Sequence, residues 1–305
     1  MRRWAVVLAV LGAGLLPWLW SDAVFWTINL FLWGLMALSL NVLYGYTGLL
    51  SLGQGVYFAL GAYGAAWAVI FAKASFWGAL GAGLLCAFLG AFLVGWVSVR
   101  AAGYGFVVMT LVTALICYLL ALGADALTGG EDGMAFRAPA VPVPGFALPI
   151  QNLSVRYYLA LVALLMGLGV VYLLSKSLLG LALRAVRDDE IAATAVGYNV
   201  FAIRLFSFVL AGSLAGLAGA VWALSKEFVR AGLFQPFGAF ISAQPDPDPL
   251  VAVLLGGPGT LLGPLLGTAI LLGLRELFIS IWLQGYALAM GVAVIILARR
   301  AVMRP

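Results

Sequence analysis

The chain has 305 residues, of which 65% are hydrophobic and only 9% are charged, with a mean hydropathy of +1.14. A soluble domain of ordinary composition carries about 25% charged residues, so this chain has too little charge to cover a surface that faces water. The net charge is +5, but the basic residues lie mostly at the ends of loops, as membrane topology requires, so nucleic-acid binding is not expected.

Apolar segments long enough to cross a bilayer follow one another along the whole chain, which predicts a single transmembrane domain covering residues 1–305. The first segment, 4–20, resembles a signal peptide but lacks a convincing cleavage site, so we expect an uncleaved helix. The runs are continuous rather than alternating, which predicts an all-α polytopic bundle of about 8–10 spans. The other spans are expected near 23–44, 48–72, 77–99, 104–123, 155–175, 203–225, 249–273 and 277–298.

Basic residues orient these spans, because cytoplasmic loops of membrane proteins carry an excess of lysine and arginine. Arg2 and Arg3 place the N-terminus inside, and alternation then places Arg100 and the loop 176–202 inside. The segment 124–154, rich in proline and glycine, falls outside. The side of the C-terminus stays open, since the count of spans puts its arginines outside although they favour the cytoplasm: Arg299, Arg300 and Arg304.

Residues 44–64 carry glycines and polar side chains that are unusual in a transmembrane helix. Helices interrupted by glycine are tolerated at membrane depth where they are buried or line a cavity. The alternative, compatible with the first, is close packing of helices through small residues such as Gly61 and Ala65. The candidates for a solute path in this stretch are Thr47, Gly48, Ser51 and Gln54.

Residues 180–199 are the most charged stretch of the chain. Asp188 is expected to cap a short cytoplasmic helix of roughly two turns, with Asp189 and Glu190 at its positive end and Gly197 after its last turn. Such a thin helix suits docking in a groove of a partner protein, whereas the plainer alternative is a charged loop. The small residues that make it thin are Ala192, Ala193 and Ala195.

Residues 256–267 contain Pro258 and Pro264 together with five glycines, which predicts a discontinuous helix. Its alternative is a kinked helix with no part in transport. Broken segments in both halves of the chain hint at a two-fold internal repeat around a central path. The candidates for that path in this stretch are Gly256, Gly257 and Gly259.

The remaining polar residues argue against several function classes. The chain has no histidine, and Cys86 and Cys117 stand singly in apolar segments, where we expect them to be packing residues rather than metal ligands. Among the acidic residues only Glu276, beside Arg275, lies near an apolar run, and an interfacial ion pair between two helices is expected there. We therefore predict no catalytic residue, metal or cofactor. Energy for active transport would then come from a partner, or transport would be passive.

Four motifs, in this order, resemble the LivM-type permease of branched-chain amino-acid ABC importers. They are Gly-Tyr-Thr-Gly-Leu-Leu-Ser-Leu-Gly-Gln (45–54), Leu-Thr-Gly-Gly-Glu-Asp-Gly (127–133), Ala-Leu-Arg-Ala-Val-Arg-Asp-Asp-Glu-Ile-Ala-Ala (182–193) and Leu-Gly-Gly-Pro-Gly-Thr-Leu-Leu-Gly-Pro (255–264). The resemblance runs from about residue 25 to 275. The chain departs from the family at Gln54, where the family often has His, in an unusual outer loop at 235–249, and after residue 285.

The resemblance implies a multi-pass subunit of the bacterial inner membrane. Its partners would be a second homologous permease, two cytoplasmic ATPases and a periplasmic solute-binding protein. The segment containing Glu190, Ala192, Ala193 and Gly197 is similar to the loop that docks on the ATPase in this family. No Walker A motif is present, so ATP would be hydrolysed on the partner.

By the same resemblance, we expect import of branched-chain amino acids by alternating access. Urea or short amides are the second choice of solute. A passive channel or secondary transporter, which needs no ATPase, is the rival from another class. A purely structural scaffold is disfavoured, because the glycine-broken segments sacrifice helix stability without an evident packing benefit.

Overall fold

The computed structural model describes residues 21–101, 103–143, 145–235, 248–281 and 291–292. The expected first span at 4–20, most of the outer loop 235–249, most of the span 277–298 and the C-terminal arginines lie outside the described residues. The described helices, in chain order, are α1 (Ser21–Thr47), α2 (Gln54–Ile70), α3 (Phe76–Ser98), α4 (Tyr104–Gly123), α5 (Asp125–Thr128), α6 (Leu153–Lys176), α7 (Leu178–Asp188), α8 (Glu190–Ala195), α9 (Val200–Lys226), α10 (Pro249–Gly256) and α11 (Gly263–Ile281).

Five of these helices are long and apolar enough to cross a membrane: α1, α3, α4, α6 and α9. They confirm the all-α membrane bundle and five of the predicted spans. Helix α2 has 17 residues, somewhat fewer than the roughly 20 that a crossing needs. It begins at Gln54 rather than at residue 48, because the chain between α1 and α2 is not helical.

Both predicted discontinuities are present. The first break, residues 48–53, separates α1 from α2, and the second break, residues 257–262, separates α10 from α11. The predicted boundary between residues 273 and 277 is wrong, since α11 is continuous across it. Arg275 and Glu276 are therefore consecutive residues of one helix, which do not face each other. Among the described residues, no ion pair between Arg275 and Glu276 is found, so the predicted pair does not form between these two side chains.

Helix α9 lies at the centre of the bundle, against α1, α2 and α3. Glycines allow its close approach to α2: a Cβ at Gly61 would overlap the carbonyl group of Gly216, and a Cβ at Gly219 would overlap that of Phe58. Gly83 of α3 lies on Gly61 and Ala220 in the same way. The small residues of 44–64 thus serve helix packing, one of the two roles expected for them.

The two ends of the bundle carry different structures. At one end α7 and α8 lie beside the C-terminal end of α1, and the guanidinium of Arg100 lies 5.4 Å from the ring centre of Phe201. The other end carries α5, the strands β1 (Met134–Ala135), β2 (Val141–Val143), β3 (Phe146–Leu148) and β4 (Phe228–Val229), and a 3-10 helix at Ala231–Phe234. Strands β2 and β3 form a hairpin, and β1 pairs with β4. These ends correspond to the predicted cytoplasmic and outer sides.

Glu227 joins the outer segment to the end of α9. Its Oε1 accepts hydrogen bonds from the backbone N–H of Ala138 and from Nε2 of Gln151, both at 2.9 Å. Its backbone has a φ of 57° and ends α9 in the left-handed conformation. The outer segment is therefore attached to the central helix by specific polar contacts.

Candidate coupling site and broken helices

Helix α8 is short and capped. Asp189 is its N-cap, and its Oδ1 accepts hydrogen bonds from the backbone N–H groups of Ile191 at 2.9 Å and Ala192 at 3.0 Å. The prediction that Asp188 is the cap is wrong, because α7 continues through Asp188 and the extended backbone comes one residue later. Gly197, with a φ of 98°, follows the last turn as predicted.

An ion pair attaches α8 to α9. Both nitrogens of the Arg204 fork donate to Glu190, Nη1 to Oε1 at 3.0 Å and Nη2 to Oε2 at 2.6 Å. The Arg204 side chain is 13% exposed and that of Glu190 is 46% exposed. A half-exposed pair of this kind stabilises a fold by about 0–1 kcal/mol. Its main effect is therefore to set the orientation of α8, since bidentate pairing restricts the geometry.

The two faces of α8 differ. Ala193 is buried against the chain, whereas Ile191 is 83% exposed and Val196 is 79% exposed. Ala192 and Gly197 are also exposed. The sequence reasoning missed Ile191 and Val196. They could have been found as two β-branched apolar residues inside the most charged stretch of the chain. Two exposed apolar side chains therefore project from this short segment, Ile191 in the first turn of α8 and Val196 directly after its last residue.

A pocket of about 380 Å³ lies between α8 and the first break. The acids Asp188, Asp189 and Glu190 line one side, and Thr47 and Gly48 belong to the other. The structure therefore brings the predicted coupling residues together with two of the predicted solute-path residues.

Ser51 and Gln54 lie deeper and are buried. Nε2 of Gln54 donates to Oγ of Ser39 at 2.8 Å and to the carbonyl oxygen of Ala211 at 3.2 Å, which ties α2 to α1 and α9. Its Oε1 has no hydrogen-bond partner within the described residues. Ser51 accepts a hydrogen bond from the backbone of Gly53 at 3.3 Å. These two side chains hold the first break in place.

The second break lies against the C-terminal end of α1. Asn41, which is fully buried, donates from Nδ2 to the carbonyl oxygen of Thr260 and accepts at Oδ1 from the N–H of Gly259, both at 2.8 Å. Gly259 has a φ of 78° and Gly257 a φ of 93°. Gly256 lies against Gly263 so closely that a Cβ would overlap the carbonyl group of Gly263. Asn41 was missed by the sequence reasoning, although an amide side chain in an apolar membrane helix often hydrogen-bonds to a neighbouring segment.

The comparisons with known proteins agree with this architecture. The family model described as "Branched-chain amino acid transport system / permease component" matches residues 23–298. The LivM permease protein of the high-affinity branched-chain amino acid transport system of Escherichia coli K12 is 31% identical over 266 residues, which cover 80% of this chain and 60% of that protein. Its Salmonella typhimurium LT2 counterpart is 30% identical with the same coverage.

A third relative matches over a shorter stretch. The probable branched-chain amino acid transport permease protein LivH of Methanocaldococcus jannaschii is 40% identical over 70 residues, 23% of this chain and 22% of that protein. No solved structure was found to match.

The chain spans about 60% of the length of the curated LivM relatives. The family match nevertheless covers all five membrane-length helices and both breaks. The chain is a multi-pass inner-membrane protein, and it belongs to the family of permease components of branched-chain amino acid transport systems.

Proposed function

We propose that this chain is the membrane-embedded permease subunit of an ATP-driven importer of branched-chain amino acids. The observation that carries the proposal is helix α8, a capped helix held on α9 by the Glu190–Arg204 pair with Ile191 and Val196 facing away from the bundle. A short helix with exposed apolar side chains is suited to insertion into a hydrophobic groove. The groove would belong to a cytoplasmic ATPase.

The mechanism we propose is alternating access. A periplasmic binding protein delivers the solute to the outer end, and closure of two ATPase subunits moves α8. The path is formed with a second homologous permease, and ATP is hydrolysed on the ATPases. The two breaks support this mechanism, because helices that are interrupted at membrane depth can rearrange more readily than continuous ones.

The proposed solute follows the relatives, whose names specify branched-chain amino acids. Our candidates for the solute path remain Thr47, Gly48, Ser51, Gln54, Gly256, Gly257 and Gly259. Of these, Thr47 and Gly48 line the pocket beside α8, whereas Ser51 and Gln54 do not.

The test is co-purification of the ATPase with the tagged chain, co-expressed with its partner subunits, for wild type and Ile191→Glu. An acid in the first turn of α8 favours the helix, so the substitution should leave α8 intact while it replaces the apolar contact by a charge that an apolar groove excludes. Loss of a buried apolar anchor costs a complex ~1.4 kcal/mol or more, so the retained ATPase should fall by about tenfold or more. Phe146→Glu is the control, because Phe146 is also a large exposed apolar residue but lies in the outer hairpin.

Retention of the ATPase by Ile191→Glu at the wild-type level would remove α8 as the docking element. Absence of the ATPase from the wild-type preparation would instead favour a passive channel or a secondary transporter. Equal loss in both variants would indicate a folding defect, which size-exclusion chromatography of the chain would show directly.

A further inference from the structure

Arg187 lies where three parts of the molecule meet. It is in the last turn of α7, two residues before Asp189, the cap of α8. Its side chain reaches the end of α1. It is therefore placed between the proposed docking helix and the two breaks.

Arg187 contacts both the last turn of α1 and Gly48, the first residue of the first break. Nη1 of Arg187 donates a hydrogen bond to the carbonyl oxygen of Gly45 at 2.5 Å. This carbonyl is in the last turn of α1, where carbonyl groups have no partner within the helix. Gly48, with a φ of 74°, lies against the aliphatic part of the same side chain, since a Cβ built there would be 3.1 Å from Cγ of Arg187.

The second break reaches the same point. A Cβ built on Gly259 would lie 3.2 Å from the carbonyl oxygen of Gly45 and 3.5 Å from Nη1 of Arg187. The neighbouring hydrogen bonds from Asn41 hold Gly259 and Thr260 on α1. Movement of the Gly45 carbonyl therefore affects the contacts of both breaks.

We propose that Arg187 is a positioning residue that couples movement of α8 to both breaks. The proposal rests on the proposed function. When the ATPases move α8, the two-residue connection through Asp188 and Asp189 moves Arg187, and its hydrogen bond moves the end of α1. Arginine suits this role because its planar fork keeps a fixed direction toward an acceptor, whereas a lysine offers one mobile ammonium group.

Arg184 provides a matched control. It lies one turn earlier in α7, and its guanidinium donates to the carbonyl oxygens of Gly180 at 3.2 Å and Ser175 at 3.1 Å. The bond to Ser175 joins α7 to the end of α6, the bond to Gly180 stays within α7, and neither involves a break. Arg184→Ala thus removes the same charge from the same helix, together with two hydrogen bonds, but none of the contacts that Arg187 makes with Gly45, Gly48 and Gly259.

The experiment compares wild type, Arg187→Ala, Arg187→Lys and Arg184→Ala in the complete importer reconstituted in proteoliposomes. Radiolabelled leucine uptake and phosphate release are measured together, along with ATPase co-purification. For Arg187→Ala we expect a normal amount of bound ATPase but leucine uptake per ATP reduced by about fivefold or more, the lower range of typical coupling between sites. Arg187→Lys should recover part of the ratio, and Arg184→Ala should keep it.

An unchanged ratio in Arg187→Ala would overturn the proposal, and so would loss of the ATPase, because Arg187 would then belong to the docking surface. Hydrogen exchange on the wild-type complex gives a test that needs no variant. Trapping ATP on the ATPases should change amide exchange at 45–50 and at 257–260, and no change at either break would contradict the coupling. Absence of any ATPase from the wild-type complex would refute the proposed function itself.

Discussion

Buried amide side chains join parts of this chain that are distant in sequence. Asn41 pairs with the backbone of Gly259 and Thr260 across the second break, and Gln54 pairs with Ser39 and Ala211 beside the first. In an apolar environment an unpaired backbone group is costly, so a break needs such partners to persist. Asn41 replaces hydrogen bonds that a continuous helix would make with itself, whereas Gln54 ties the start of α2 to its neighbouring helices.

Asn41→Leu should weaken the second break. Leucine has a similar volume but neither donates nor accepts, so the N–H of Gly259 and the carbonyl of Thr260 lose their partners at a cost of about 1–3 kcal/mol each. We expect a lower unfolding temperature in detergent and faster amide exchange at Gly259. Asn29→Leu is the control, because Asn29 is in the same helix but its bond, to Phe25 at 2.9 Å, stays within that helix. Equal effects of the two variants would show that the break does not depend on Asn41.

At the scale of elements, the charged stretch 180–199 shows which helix ends local sequence can predict. Asp188 and Asp189 are both good capping residues, and sequence alone favoured the first. The structure selects Asp189, because α7 packs its buried residues Leu183 and Val186 on the bundle and continues through Asp188. The end of α8 at Gly197 depended only on a glycine with positive φ and was predicted correctly.

Helix packing in the centre of the bundle gives a second prediction at this scale. Gly61→Ala places a methyl group against the backbone of Gly216, which cannot rotate away, so we expect destabilisation of about 1–3 kcal/mol. Gly81→Ala in α3 meets nothing within 4 Å, so there the better helix propensity of alanine should leave stability unchanged or raise it by about 0.5–1 kcal/mol. Thermal unfolding of both variants in detergent measures the difference. Equal unfolding temperatures would mean that α2 and α9 are not as close as described.

On the scale of the whole molecule, the bundle has one end with α7 and α8 and another with the hairpin of β2 and β3. The excess of basic residues at the first end predicts that it faces the cytoplasm. Arg100 and the loop 176–202 lie together there, as alternation of the spans requires. The hairpin and Glu227 lie at the other end.

Cysteine labelling tests this orientation. In a Cys86→Ala/Cys117→Ala background, a membrane-impermeant maleimide added to intact cells should label Phe146→Cys but not Thr194→Cys, since both positions are exposed but at opposite ends. Permeabilised cells should label both variants and so control for reactivity. Labelling of Thr194→Cys alone in intact cells would invert the topology.

The sequence by itself determined the membrane class, the length of most helices, the two breaks and the position of the short charged helix. These features depend on hydropathy and on glycine, proline and capping residues, whose effects are local. Only the tertiary structure decided which residues connect the parts. Three side-chain contacts join residues that the sequence does not identify as partners: Asn41 with Thr260, Arg187 with Gly45, and Glu190 with Arg204. Their contacts arise because the bundle brings helix ends together, and hydropathy carries no information about partners.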